Sequence, residues 1–63
     1  MLSAKIARLR KRRGLTLLAL AKRIGTSEAY VSMLESGVRK NPSLSTVKKL
    51  AKALGVTAAE LLE

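Results

Sequence analysis

Residues 16–37, TLLALAKRIGTSEAYVSMLESG, constrain the fold more than any other stretch of the chain. Thr16 and Thr26/Ser27 stand where helices begin, because Ser and Thr hydroxyls accept bonds from the free amides of a first turn. Gly25 and Gly37 stand where helices end, because glycine takes positive φ without a Cβ clash. The reading is therefore two short helices joined by a tight turn. Ala21 is small enough to let the two cross closely, Gly25 permits the sharp turn, and Val31 packs back beneath it. Three residues separate Ala21 from Gly25, and five separate Gly25 from Val31.

A helix pair with that spacing is a helix-turn-helix unit, and its second helix is shaped to enter the major groove of DNA. The charge agrees. Thirteen Lys and Arg oppose four acids, for a net +9 and a pI near 11.1. Such a chain repels itself when compact, so a polyanionic partner is expected. There is no Cys, no His and no Asp, and the glutamates are not clustered. Disulfides, zinc sites and His- or Cys-based catalysis are thereby excluded, and no enzyme activity, cofactor, metal or small-molecule substrate is expected. Leu and Ala dominate the apolar residues and Tyr30 is the single aromatic, which favours an all-α fold. At 63 residues one domain spanning 1–63 is expected, burying about 60 % of its unfolded surface. No apolar run reaches membrane-spanning length and nothing resembles a signal peptide, so no membrane partner is expected and cytoplasm is the default compartment.

In chain order, Ser3 is the expected N-cap of a first helix running to Gly14. Leu2, Ile6 and Leu9 form its apolar stripe, with Arg13 ending the same line. Six cations and no acid precede Gly14; a solvated face complementing the helix dipole and a phosphate-binding face both fit. Arg10 differs because it borders the apolar stripe, where a fixed partner is needed. The second helix, Thr16–Ile24, turns Leu20 and Ile24 inward with Leu17 and Ala21 alongside, and leaves Leu18 exposed. The third, about Ser27–Ser36, buries Val31 and Leu34. Its opposite side carries Ala29, Ser32, Met33 and Ser36, with Glu28 at the first turn. In a chain with cations to spare, a small neutral face implies a helix lying against something, either a groove floor or another protein's helix. Val38–Pro42 is a loop projecting Arg39 and Lys40. Ser43 caps a fourth helix with Leu44, Val47, Leu50, Ala51 and Leu54 at core spacing and Lys48, Lys49 and Lys52 outside. Gly55 closes it. Thr57 and Glu60 form a capping box for a short fifth helix, Val56 and Leu61 form a hydrophobic staple, and Leu61 and Leu62 are expected to close the core.

These residues resemble the lambda-repressor-like, Cro/C1-type (XRE) helix-turn-helix family. The likeness runs along the whole chain. It comprises Ile6, Leu9, Arg10, Gly14-Leu15-Thr16, Leu20-Ala21, Gly25-Thr26-Ser27, Val31-Ser32, Leu34-Glu35-Ser36-Gly37, Asn41-Pro42-Ser43, Leu50-Ala51 and Ala53-Leu54-Gly55-Val56. The combination of L-E-S-G, N-P-S-L and L-G-V at this spacing is highly specific. The resemblance implies a compact five-helix domain in which Arg10 pairs with Glu35 and faces a DNA phosphate. It implies that Thr16 and Leu17 offer helix N-terminal amides to a phosphate. Ser27, Glu28, Ala29, Ser32 and Met33 would lie near base edges. Arg39, Lys40 and Asn41, with Tyr30, Ser36 and Ser43, would hold the DNA backbone.

The chain departs from the family pattern in three places. Leu17 stands where a polar phosphate-binding side chain is usual, so only its N–H is available. Leu18 and Ala19 replace the acids that complete a capping box with Thr16. The groove face lacks Gln, Asn and Arg, the side chains suited to bidentate base contacts. Ala29 and Met33 suit thymine methyls, Ser32 suits either donor or acceptor edges, and Glu28 suits cytosine N4 or simply the helix dipole. The leading reading is sequence-specific duplex DNA binding by a bacterial or phage-like repressor or other regulator, nucleoid-associated when bound. The alternative is an antitoxin-like protein-interaction module with nonspecific DNA affinity. A monomer that pairs weakly on DNA is expected. The single aromatic and well-capped Leu/Ala-rich helices suit an engineered sequence, and a short natural regulator or an excised domain equally.

Overall fold

The computed structural model describes residues 2–63, and its described residues form five helices: α1 (Leu2–Arg12), α2 (Leu17–Ile24), α3 (Glu28–Ser36), α4 (Leu44–Leu54) and α5 (Ala58–Leu62). The all-α, five-helix expectation is met. Four of the helices begin on a hydroxyl cap. Thr16 Oγ1 accepts from Ala19 N at 3.0 Å, Ser27 Oγ from Tyr30 N at 3.1 Å, Ser43 Oγ from Thr46 N at 3.2 Å and Thr57 Oγ1 from Glu60 N at 3.0 Å. The Thr57 cap is reciprocal, since Thr57 N donates to Glu60 Oε1 at 3.1 Å. Each cap satisfies an amide that the first turn leaves without a partner, worth about 1 kcal/mol.

The helix ends follow one scheme with one departure. Beyond α1, α2 and α4 an amide returns to a carbonyl five positions back. These bonds are Leu15 N to Arg10 O at 3.0 Å, Thr26 N to Ala21 O at 2.9 Å and Val56 N to Ala51 O at 3.0 Å. The intervening glycine sits in the left-handed region, with Gly25 at φ +72, as a Schellman ending requires. After α3 the returning amide is one residue further on: Arg39 N donates to Met33 O at 3.1 Å. Val38, in the place where an apolar residue normally folds back onto the helix, is 72 % exposed instead.

The core is aliphatic. Ile6 of α1, Leu20, Ala21 and Ile24 of α2, Val31 and Leu34 of α3, Val47, Leu50, Ala51 and Leu54 of α4, and Leu61 of α5 are buried. Ala21 and Val31 are both fully inaccessible, and α2 packs closely on α3. Their small side chains let the backbones approach. α1 packs on α3, α4 and α5, and α4 backs α2, so α3 is held from behind by α1 and α2. Full burial of one Leu or Ile contributes about 1.5–3 kcal/mol. A chain of this length has a total stability of about 3–9 kcal/mol, so truncating Leu20 or Leu34 would remove a large share of it.

Three expectations need correction. Ser3 lies inside α1 rather than capping it, because the helix already includes Leu2, which packs against the core with Ile6 and Leu9. Leu44 is 62 % exposed although it lies on the α4 stripe, because it occupies the first turn, beyond the buried stretch that starts at Val47. Leu62 is 57 % exposed; Leu61 takes the inward position, and the next residue of a helix points about 100° away. Leu18, 47 % exposed, is where it was expected.

Candidate nucleic-acid interface

The turn at Gly25 sets α3 across α2 with Val31 and Leu34 inward, which directs the other side of α3 to the surface. Glu28, Ala29, Ser32 and Ser36 are exposed there and Met33 is half-buried at its edge. Ser27 precedes them, its hydroxyl committed to the Tyr30 amide. The five residues assigned to base edges therefore share one end or face of a single helix. That face carries one charge, Glu28, placed where it favours the helix N-terminus.

Arg10 stands at one flank of this face. Its Nε donates to Glu35 Oε2 at 2.6 Å and its Nη2 to Glu35 Oε1 at 3.1 Å, while Nη1 donates to Leu15 O at 2.7 Å. One guanidinium thus ties α1 to α3 and to the turn leading into α2. The two side chains are only 13 % and 12 % exposed. The hydrogen bond to Glu35 raises the Arg10 pKa above its ordinary value, against the opposing effect of burial. Arg10 is the fixed partnered arginine that its place beside the core stripe demanded, and Glu35 is that partner.

The other assigned residues fall into two groups. Thr16 caps α2 and Leu17 follows it, its side chain half-buried against the core; at this end only backbone amides face outward. Arg39, Lys40 and Asn41 are exposed in the loop after α3. Tyr30 is half-buried on α3, and the Arg39 guanidinium carbon lies 6.0 Å from the centre of its ring. Ser36 Oγ donates to Met33 O at 3.2 Å. The Ser43 hydroxyl is engaged as the α4 cap and by the hydroxyls of Ser45 and Thr46, at 3.3 and 2.9 Å.

Sequence reasoning did not find two tertiary contacts. Arg13, beyond the end of α1, donates from Nε to Leu54 O at 3.0 Å and so places its charge on the carbonyl end of α4. Lys5 Nζ donates to Glu60 O at 2.9 Å. An open depression of about 600 Å³ lies away from the α3 face, at the ends of α2 and α4, bordered by Lys22, Arg23, Lys49 and Lys52. Lys22, Arg23 and Lys52 lie in the last turns of their helices, where a cation complements the exposed carbonyls. Among the described residues no group of acids could hold a metal ion, and no helix is long and apolar enough to cross a membrane.

Two helices crossing over a glycine turn, the second held by a part-buried ion pair with a face of small side chains outward, define a helix-turn-helix domain. The model described as Helix-turn-helix matches residues 6–61, and the chain belongs to this family, in its Cro/C1-type branch. It is 44 % identical over 62 residues to the uncharacterized HTH-type transcriptional regulator y4dJ of Sinorhizobium fredii, covering 98 % of this chain and 79 % of that protein. It is 41 % identical over 54 residues to the HTH-type transcriptional regulator SlrR of Bacillus subtilis, covering 86 % of this chain but 36 % of SlrR. It thus spans about a third of SlrR's length. The crystal structure of the biofilm-formation regulator SinR in complex with DNA superposes with a TM-score of 0.94 at 32 % identity, covering the whole of both chains.

Proposed function

We propose that the protein binds duplex DNA in a sequence-dependent manner, with α3 in the major groove, and acts by occupancy as a transcriptional repressor or other regulator. The observation that carries this reading is the outward face of α3: small, neutral, and flanked by a locked guanidinium in a chain of net +9. The likeness to a relative solved on DNA supports it. In this reading residues 16–37 are the DNA-binding unit of a single domain spanning 1–63. Ser27, Glu28, Ala29, Ser32 and Met33 meet base edges. Arg10, the α2 amides at Thr16 and Leu17, Tyr30, Ser36, Lys40, Asn41 and Ser43 hold the phosphates and set register, while Arg39, grouped with them by the resemblance, lies beside Tyr30. Two copies pair weakly on adjoining half-sites, about one helical turn apart. The compartment is that of the DNA, the bacterial or phage-infected cytoplasm.

The test is selection from a randomised duplex library at about 0.15 M salt, followed by sequencing of what is retained. A motif of about 4–6 base pairs is expected, alone or repeated at helical spacing. Uniform retention of all duplexes would overturn sequence reading, leave binding to the net charge alone, and reassign the α3 face to a protein partner.

A further inference from the structure

The α3 face poses a problem for a sequence reader. Ala29, Ser32, Met33 and Ser36 offer methyl contacts and single hydrogen bonds, and none of them can make the two parallel bonds that distinguish one base pair from all others. Two side chains of the loop after α3 can, Asn41 and Arg39, and of these Arg39 has an aromatic partner. Arg39 leaves the α3–α4 loop, and its guanidinium lies over the ring of Tyr30. Tyr30 stands three positions before Met33 on α3, hence next to it at the edge of the outward face. The backbone prepares the arrangement. The Arg39 amide, not that of Val38, closes the end of α3 on Met33 O at 3.1 Å. This longer return leaves Val38 72 % exposed and ties the Arg39 backbone to Met33.

At 6.0 Å the contact is a cation–π attraction at its outer reach, and it leaves the guanidinium N–H donors unengaged by the ring. They remain free for an acceptor pair such as guanine O6 and N7. A flexible loop arginine reaching for a phosphate needs no such seat, since the phosphate attraction is long-ranged and tolerant of geometry. Base reading does need one, because both bonds must align at once.

Resting on the DNA-binding reading above, we propose that Arg39, positioned by Tyr30, is the principal specificity-determining side chain, reading a guanine at the edge of the base pairs covered by α3. Tyr30 acts through Arg39 as a positioning residue. The protein thereby obtains from its loop the bidentate group that its recognition helix lacks.

The duplex selection is repeated with R39K, R39A, Y30F and Y30L, each first shown by circular dichroism and thermal melting to be folded. Wild-type protein retains duplexes with a fixed G·C pair at one edge of the motif. In R39A and R39K that preference falls by about 5- to 150-fold, the discrimination of one bidentate pair, while preferences at the other positions stay. R39K keeps the charge, so its loss separates geometry from electrostatics. Y30F keeps the ring and the preference; Y30L weakens the preference at that one position. The proposal is overturned if R39A weakens binding to all retained duplexes by one factor with an unchanged motif, which would make Arg39 a phosphate contact. It is also overturned if R39K behaves as wild type. A wild-type protein that yields no motif at all overturns the DNA-reading proposal itself, an outcome distinct from a motif indifferent to Arg39.

Discussion

Replacing Glu35 by Ala leaves the Arg10 guanidinium with a single protein acceptor, Leu15 O at 2.7 Å, and a side chain only 13 % exposed. The cost follows from where the pair sits between two limits. Exposed ion pairs contribute about 0–1 kcal/mol, whereas removing one member of a fully buried pair costs about 3–5 kcal/mol. Arg10 keeps one bond and a narrow path to water, so about 2–3 kcal/mol is expected. For a chain of this size that lowers Tm by about 10–20 °C and removes a large part of a total of about 3–9 kcal/mol. Arg10→Met strands the Glu35 carboxylate and should cost about as much. The double variant R10M/E35L replaces the pair by apolar groups of similar volume and should recover most of the loss, a coupling of about 3–5 kcal/mol. Urea and thermal unfolding of wild type, R10M, E35L and R10M/E35L give the cycle directly. Single variants within about 0.5 kcal/mol of wild type, or single effects that simply add, would refute the argument that this pair locks α3 to α1. The recovered double variant then tests function: if Arg10 also faces a phosphate, it binds DNA more weakly with the same motif and a salt slope shallower by about one.

Further expectations concern other parts of the chain. Gly14→Ala and Gly55→Ala both force a side chain into the left-handed region, at φ +70 and +74, costing about 1–2 kcal/mol each. At Gly55 the new Cβ would collide with the Arg13 guanidinium, while at Gly14 nothing lies within 4 Å. Denaturation should therefore show the larger loss for Gly55→Ala, and in an Arg13→Ala background the two losses should become equal; a difference that persists would refute the role given to Arg13. The Thr57 amide, bonded to the Glu60 carboxylate, holds the Glu60 pKa below its ordinary value. The capping box accordingly contributes stability above the unfolded pKa and loses it as pH falls through the lower folded one. NMR titration of the carboxyl carbon should place Glu60 below the usual Glu range, and a titration at or above that range would contradict the cap. Met33→Ala should alter preference at one base step in the selection and leave affinity for random duplex unchanged.

How much of this was readable beforehand depends on the range of the interaction. The hydroxyl caps and closing glycines act within a few residues, so Thr16, Ser27, Ser43, Thr57 and the glycines after each helix marked boundaries directly. Ser3 misled because a hydroxyl suits a cap, while Leu2 ahead of it packs against the core and is itself part of the helix. Leu44 and Leu62 misled for a related reason: periodicity gives the direction of a side chain, while burial depends on what other elements lie there. Arg10 at the edge of a stripe announced the need for a partner, and the resemblance, not the spacing, supplied Glu35. The Arg13–Leu54 and Lys5–Glu60 contacts join residues 41 and 55 positions apart and leave no local signature. The outward set was legible because exclusion from the core is periodic: with Val31 and Leu34 inward, Ala29, Ser32 and Ser36 must face out.

The places where local rules are not followed lie together. α1, α2 and α4 end by the same five-residue return, while α3 alone returns over six and leaves Val38 in solvent. In a strongly basic chain α3 carries no cation, a lack it shares with the short α5, and its outward side holds small polar residues. Neither departure helps folding: an exposed valine forfeits the burial that a Schellman ending normally brings, and a surface face with Glu28 as its single charge forgoes solubility. A sequence that otherwise satisfies caps, core and helix dipoles bears such costs where a ligand reverses them on binding. A small neutral face lets a helix approach bases closely, and a displaced loop gives an arginine a seat beside it. On the proposed reading the two irregularities are one arrangement, in which the shape of α3 admits DNA and its unusual exit supplies the side chain that reads it.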